Sequence, residues 1–150
     1  MAEGNSGPSA QEALLGLVGE HDRGVLVTLR RGGRAQLSNV NYAWDSGSRM
    51  VRVSITDGRA KARNLARDPR ASFHVTSEDG WAWTVVDGVA ELTPVAEDPH
   101  DATVDELIEV YRAIRGEHPD WDEYRAAMVS QRRLVVRLTV EHVYGQLRQG

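Results

Sequence analysis

The chain has 150 residues, 41% hydrophobic and 27% charged, with 18 basic and 22 acidic side chains and a formal net charge of −4. That composition suits a single soluble globular domain with its own core, and an acidic balance argues against nucleic acid as a general partner. The absence of cysteine excludes a disulfide framework, a thiolate metal site and a thiol nucleophile.

Residues 1–8 are small and polar and are expected to form a flexible tail, with one folded domain over 9–150. The opening "MAEGNSGPSAQEALL" carries neither the basic region nor the apolar run of a signal peptide. Nothing later approaches the roughly 18 apolar residues of a membrane span. A cytoplasmic protein with no membrane partner is expected. Ser9 and Glu12 have capping-box spacing, Ala13, Leu14, Leu17 and Val18 give one helical face, and Gly24 is placed to end that helix.

A meander follows. Val25, Val27 and Leu29 alternate with Leu26 and Thr28, and Gly32-Gly33 signals a hairpin. Leu37 to Trp44 reads as the return strand, "DSGS" as a turn, and "MVRVSI" as a strand with Val51, Val53 and Ile55 on one face. Ala62, Leu65 and Ala66 then mark one buried face of a short helix stopped by Pro69. "RASFHVTS" is a strand, and "WAWTVVDGVAELTP" is a long one expected to bend at Gly88.

Residues 97–123 hold ten acids and two bases, with Val104, Leu107, Ile108, Tyr111 and Ile114 forming an amphipathic stripe. Trp121, Tyr124 and Met128 mark a further short helix, and "RRLVVRLTVEHVYG" a last strand. About six antiparallel strands interrupted by isolated helices exclude alternating βαβ units and suggest a small barrel, which removes exposed sheet edges.

Three stretches carry chemistry. "RAKARNLARDPRAS", residues 59–72, has five bases and one acid, against the trend of the chain. On a helix starting near Arg59, that residue, Lys61 and Asn64 would converge with the free helix N–H groups on a phosphate. The competing reading is a solvated basic face, the expectation for Arg63, Arg67 and Arg70, which could pair with the acidic helix. In "AQLSNVNY", Gln36, Ser38 and Asn39 could bond a planar heterocycle along a strand, or simply alternate outward. In "GWAW", Trp81 and Trp83 share a strand face and could stack on a ring, form a dimer core, or pack internally. The five histidines show no metal spacing, and no GxGxxG, Walker A or GxSxG motif is present.

The order "GRAQLSNVNY", "RAKARNLARDPRAS", "DGWAW", "GEHPDWDEYRAAMV" and "HVYG" resembles the flavin-binding split β-barrel proteins, the pyridoxamine-phosphate-oxidase-like superfamily, over roughly residues 12–145. Within it the sequence is most similar to actinobacterial proteins that bind the deazaflavin coenzyme F420. The resemblance implies a mainly β (α+β) six-stranded antiparallel split barrel with peripheral helices, forming a homodimer with two cofactor sites at the subunit interface. It implies that Arg59, Lys61 and Asn64 hold a cofactor phosphate, that Gln36, Ser38 and Asn39 line the ring with Ser54 on the adjacent strand, and that Trp81 reaches the cofactor from the other subunit. Arg63 and Arg67 could meet an oligoglutamate tail. The implied activity is F420-dependent hydride transfer to a small conjugated or unsaturated substrate. FMN-dependent turnover and a non-catalytic carrier or sensor are the alternatives. The C-terminal "HVYGQLRQG" does not match the Arg-containing substrate motif of true pyridoxamine-phosphate oxidases, so that oxidation is not expected here.

Overall fold

The computed structural model describes residues 8–148. Four helices and seven strands follow in the order α1 (Pro8–Glu20), β1 (Arg23–Leu29), β2 (Ala35–Asn41), β3 (Ala43–Asp45), β4 (Met50–Thr56), α2 (Ala60–Arg67), β5 (Arg70–Thr76), β6 (Trp83–Leu92), α3 (Ala102–Arg115), α4 (Trp121–Ser130) and β7 (Arg133–Gln146). One fully antiparallel sheet runs β2-β1-β5-β6-β7-β4-β3. Its two edge strands, β2 and β3, are consecutive halves of one segment, so the sheet curls back on itself as a split barrel. The break falls at Tyr42, whose N–H donates to Asp22 O at 3.0 Å and whose buried hydroxyl donates to Val18 O. One residue diverted from the ladder lets the segment leave β1 and join β4. It also raises the expected six strands to seven.

The expected meander, the helix over 60–67 and the amphipathic helix are all present. Helix α1 begins at Pro8, a favoured first helical residue, so Ser9 lies inside it rather than at its cap; the Ser9 side chain falls outside the described residues, as do residues 1–7 of the expected tail. The buried positions of α1 are Leu14, Leu15, Leu17 and Val18, and Ala13 is exposed. Gly24 does not end this helix. It pairs with Val40 inside β1, where an added Cβ would lie 2.7 Å from the Phe73 ring.

Two cores result. Inside the barrel, Leu26, Val53, Ile55, Phe73, Val86 and Leu138 are at most 1% exposed, each contributing about 1.5–3 kcal/mol by leaving water. On the outer face of β4 and β7, Val135 packs with Val104, Leu107, Ile108 and Met128 of α3 and α4. β7 is thus buried on both faces along its first half, as its near-continuous apolar run requires. Asp101 and Asp120 cap the two outer helices, accepting from Val104 N and Glu123 N. β6 shifts register between Asp87 and Gly88, at the expected bend.

Candidate functional site

A cleft of about 400 Å³ opens where the outer face of β4 and β7, the end of β2 and the α3–α4 pair meet. Pleating decides which side chains reach it. Val53 and Ile55 point into the barrel, so Ser54 and Thr56 point outward. Asn39 and Asn41 of β2 line the same opening. The helical wall is Val110, Tyr111 and Ile114 of α3 with Tyr124 and Met128 of α4. Burial pushes the Tyr124 phenol up to about 12, with Arg133 opposing and Tyr111 assisting, while its hydroxyl donates to Leu107 O at 3.2 Å.

Among the described residues four cations line the cleft, Arg59, Lys61, Arg115 and Arg133, and no carboxylate does. The charge layout along β4 and β7 is what makes this informative. At one end Arg52 sits opposite Arg137, and both are neutralised by the acidic helix. Glu106 accepts from Arg137 Nε at 2.9 Å and lies 3.6 Å from Arg52, while Glu109 and Glu91 take the remaining donors. At the other end Arg133 sits opposite Thr56, and its guanidinium donates to Gln131 Oε1 at 3.0 Å and Ser54 Oγ at 3.5 Å. Among the described residues none of the four cleft cations has a carboxylate in ion-pair contact. Asp57, two residues before Arg59, is held at 3.0 Å by Arg132 and does not line the cleft.

The cluster is electrostatically unsatisfied. Burial, then the neighbouring Arg59 and Arg133 charges, lower the Lys61 pKa from the ordinary lysine value. Helix α2 adds to the same field. It starts at Ala60 after Arg59, whose side chain makes no cap, so the first-turn N–H groups have no side-chain acceptor. The turn that aims them needs Gly58, at φ +83°. This combination of donors suits a phosphate group.

The structure brings together four of the eight residues expected at the site: Asn39, Ser54, Arg59 and Lys61. Gln36 and Ser38 lie half-buried on the inward face of β2, opposite Thr28 and Leu26. Asn64 is 6% exposed and turned into the fold. Its amide donates to Thr28 Oγ1 at 3.1 Å and accepts from Arg67 at 3.1 Å, so both ends are used internally. Trp81 lies in the turn before β6 rather than on a strand with Trp83, and is 71% exposed. Trp83 packs in the pair's place, against His74 and Tyr144. Arg63, Arg67 and Arg70 are exposed, as expected of a solvated basic face, and do not pair with the acidic helix. Arg63 bonds Gly58 O, Arg67 bonds Leu29 O, and Arg70 pairs with Asp68.

Arg115, Arg133, Tyr111 and Tyr124 were not among the expected site residues. Arg115 left a trace in the sequence, falling four residues after Tyr111 on the otherwise apolar stripe of α3. Arg133 left none, because only the β4–β7 register sets it beside Ser54 and Lys61.

The class this defines is a curled antiparallel split barrel with a cationic cleft between its outer face and a helical pair. The chain belongs to the pyridoxamine 5'-phosphate oxidase family, whose profile matches residues 10–147. Solved structures agree in fold. An F420 reductase is 24% identical with a TM-score of 0.61, covering 86% of this chain and 94% of its own. A FAD-binding protein from Mesorhizobium loti is 18% identical with a TM-score of 0.62, covering 91% and 90%. A heme binding protein from Mycobacterium smegmatis is 25% identical with a TM-score of 0.67, covering 93% of this chain and 55% of its own. No helix among the described residues is long and apolar enough to cross a membrane.

Proposed function

We propose that this chain is an F420-dependent reductase, acting as a homodimer on a small conjugated or unsaturated acceptor. One observation carries the reading. Arg59, Lys61 and Arg133 converge without a carboxylate at the uncapped start of α2, beside the polar strand positions Asn39 and Ser54. In this reading Arg59 and Lys61 hold the cofactor phosphate and Arg133 completes the grip. Asn64 positions α2 against β1 through Thr28 instead of touching the phosphate itself. Asn39 and Ser54 flank the ring, Gln36 and Ser38 face away from it on the other side of β2, and Trp81 of the partner subunit closes the site.

A bound deazaflavin supplies a hydride from carbon and no readily separated single electrons. The chain's residues then need only bind, orient and exclude water. Val110, Ile114 and Met128 provide the apolar wall that keeps the reacting faces dry.

Titration calorimetry with F420 and with FMN tests the reading. F420 is expected to bind, and Lys61→Ala to weaken it by about 1.5–3 kcal/mol, the value of a hydrogen bond to a charged group. Binding of FMN alone would replace F420 as the cofactor. Binding of F420 with no oxidation of its reduced form by enones or quinones would make the chain a carrier.

A further inference from the structure

We infer that Arg115 is a recognition residue for a carboxylate on the acceptor, so that the substrate class is a planar, largely apolar monoanion lying along the helical wall. This rests on reading the cleft as a reductase site.

Residues 97–123 contain ten acids, yet none reaches the cleft face. Those in ion-pair contact are committed elsewhere: Glu106 and Glu109 to the sheet arginines, Asp105 to Arg125 at 3.1 Å, and Glu117 to Arg112 at 2.8 Å. Two arginines end α3, and they are treated differently. Arg112 is paired with Glu117 and lies over the Trp121 ring at 4.8 Å. It already supplies the favourable cation of a helix C-terminus. Arg115 has no carboxylate in ion-pair contact among the described residues, and it faces the cleft beside Tyr111 and Ile114. Arg115 is exposed, and no carboxylate lines the cleft beside it, which leaves room for an external anion.

The chemistry of the surroundings narrows that anion. A single guanidinium fork matches a carboxylate through two parallel hydrogen bonds. Phosphate is better served by the several cations and free N–H groups at the start of α2. Tyr111 and Tyr124 offer aromatic surface for a flat body, and Met128 is a soft, adaptable contact.

The test uses 2-naphthoate and its uncharged analogue 2-naphthamide as probes, titrated by ligand-observed NMR against the full chain with and without F420. Naphthoate is expected to bind at least tenfold more tightly than naphthamide. Arg115→Gln should abolish that preference, Arg115→Lys should restore part of it, and F420 affinity should not change in either variant. Equal binding of the two probes, or a preference unaltered by Arg115→Gln, would overturn the inference. So would a preference removed by Lys61→Ala instead, or displacement of naphthoate by F420, which would give Arg115 to the cofactor. The comparison without F420 stands even if F420 fails to bind, so loss of the cofactor assignment is distinguishable from loss of the Arg115 site.

Discussion

Lys61 and Asn64 stand three residues apart on one short helix, and their surroundings give them opposite roles. Lys61 is held in the cleft among like charges, and burial disfavours its protonated form. Its folded-state pKa lies below the unfolded value, so the charge costs stability at all pH values below the folded pKa. That cost fades as pH rises through it. Lys61→Met should therefore leave the cofactor-free protein at least as stable as the wild type in thermal melts at neutral pH, while removing most of the stabilisation by bound F420. A ligand at 100 times its dissociation constant adds about 2.7 kcal/mol to the wild type. Asn64 is buried with both amide ends bonded. Asn64→Ala should cost about 1–3 kcal/mol in urea denaturation, since Thr28 and Arg67 each lose a partner. An Asn64→Ala protein of wild-type stability would return this residue to the cleft.

Helix α3 is fastened to the sheet by charge as well as by its apolar stripe. The Glu106 side chain is 13% exposed and is shared between Arg137 and Arg52. Hydrogen bonding from Arg137, opposed by burial and reinforced by both arginine charges, keeps its carboxyl below the usual glutamate range. A lowered carboxylate pKa adds stability above the unfolded value of about 4.3, and that stability is lost as pH falls through the folded value. Glu106→Gln should thus cost about 1–3 kcal/mol at pH 7 and flatten the loss of stability below about pH 4.3, both read from denaturation curves across pH. Opposite Asp87 and Gly88 of β6, the bulge that leaves Glu141 of β7 unpaired in the ladder serves the barrel. An added Cβ at Gly88 would lie 1.9 Å from Thr139 O, a backbone atom that cannot swing aside. Gly88→Ala should destabilise by about 1–3 kcal/mol or more.

On the outer face of β1, β2, β5, β6 and β7, apolar side chains alternate with polar ones across the strands. Val25 runs across to His74, Val85 and Tyr144, and Leu37 across to Val27. Leu37 is 64% exposed, and Val89 and Tyr144 are also exposed. In the homodimer proposed above, a second copy covering this face would bury these exposed apolar side chains. Leu37→Asp with Val27→Asp should shift sedimentation from dimer to monomer and weaken F420 binding together. Monomeric variants with unchanged F420 affinity would remove Trp81 of the partner subunit from the site.

Element types and order were legible in the sequence because they follow from local periodicity. The stripe of α3, the alternation of β4 and β7 and the turn at Gly32-Gly33 depend on near neighbours only. The basic stretch around Lys61 was visible too, as charge against the trend of the chain. Which alternating set faces the core was not legible: β1 could bury either Val25, Val27 and Leu29 or Leu26 and Thr28, and only its place between β2 and β5 turns Leu26 inward. Asn64 went inward for the same reason, since its partner Thr28 lies 36 residues away. Arg133 entered the site through the β4–β7 register, and Arg115 was left free because Glu117, the acid nearest it in sequence, pairs with Arg112, while Glu106 and Glu109 pair with arginines of distant strands. Local chemistry marked the cationic helix. Long-range pairing decided which cations remain unpaired, because an ion pair depends on distance in space and not on separation along the chain.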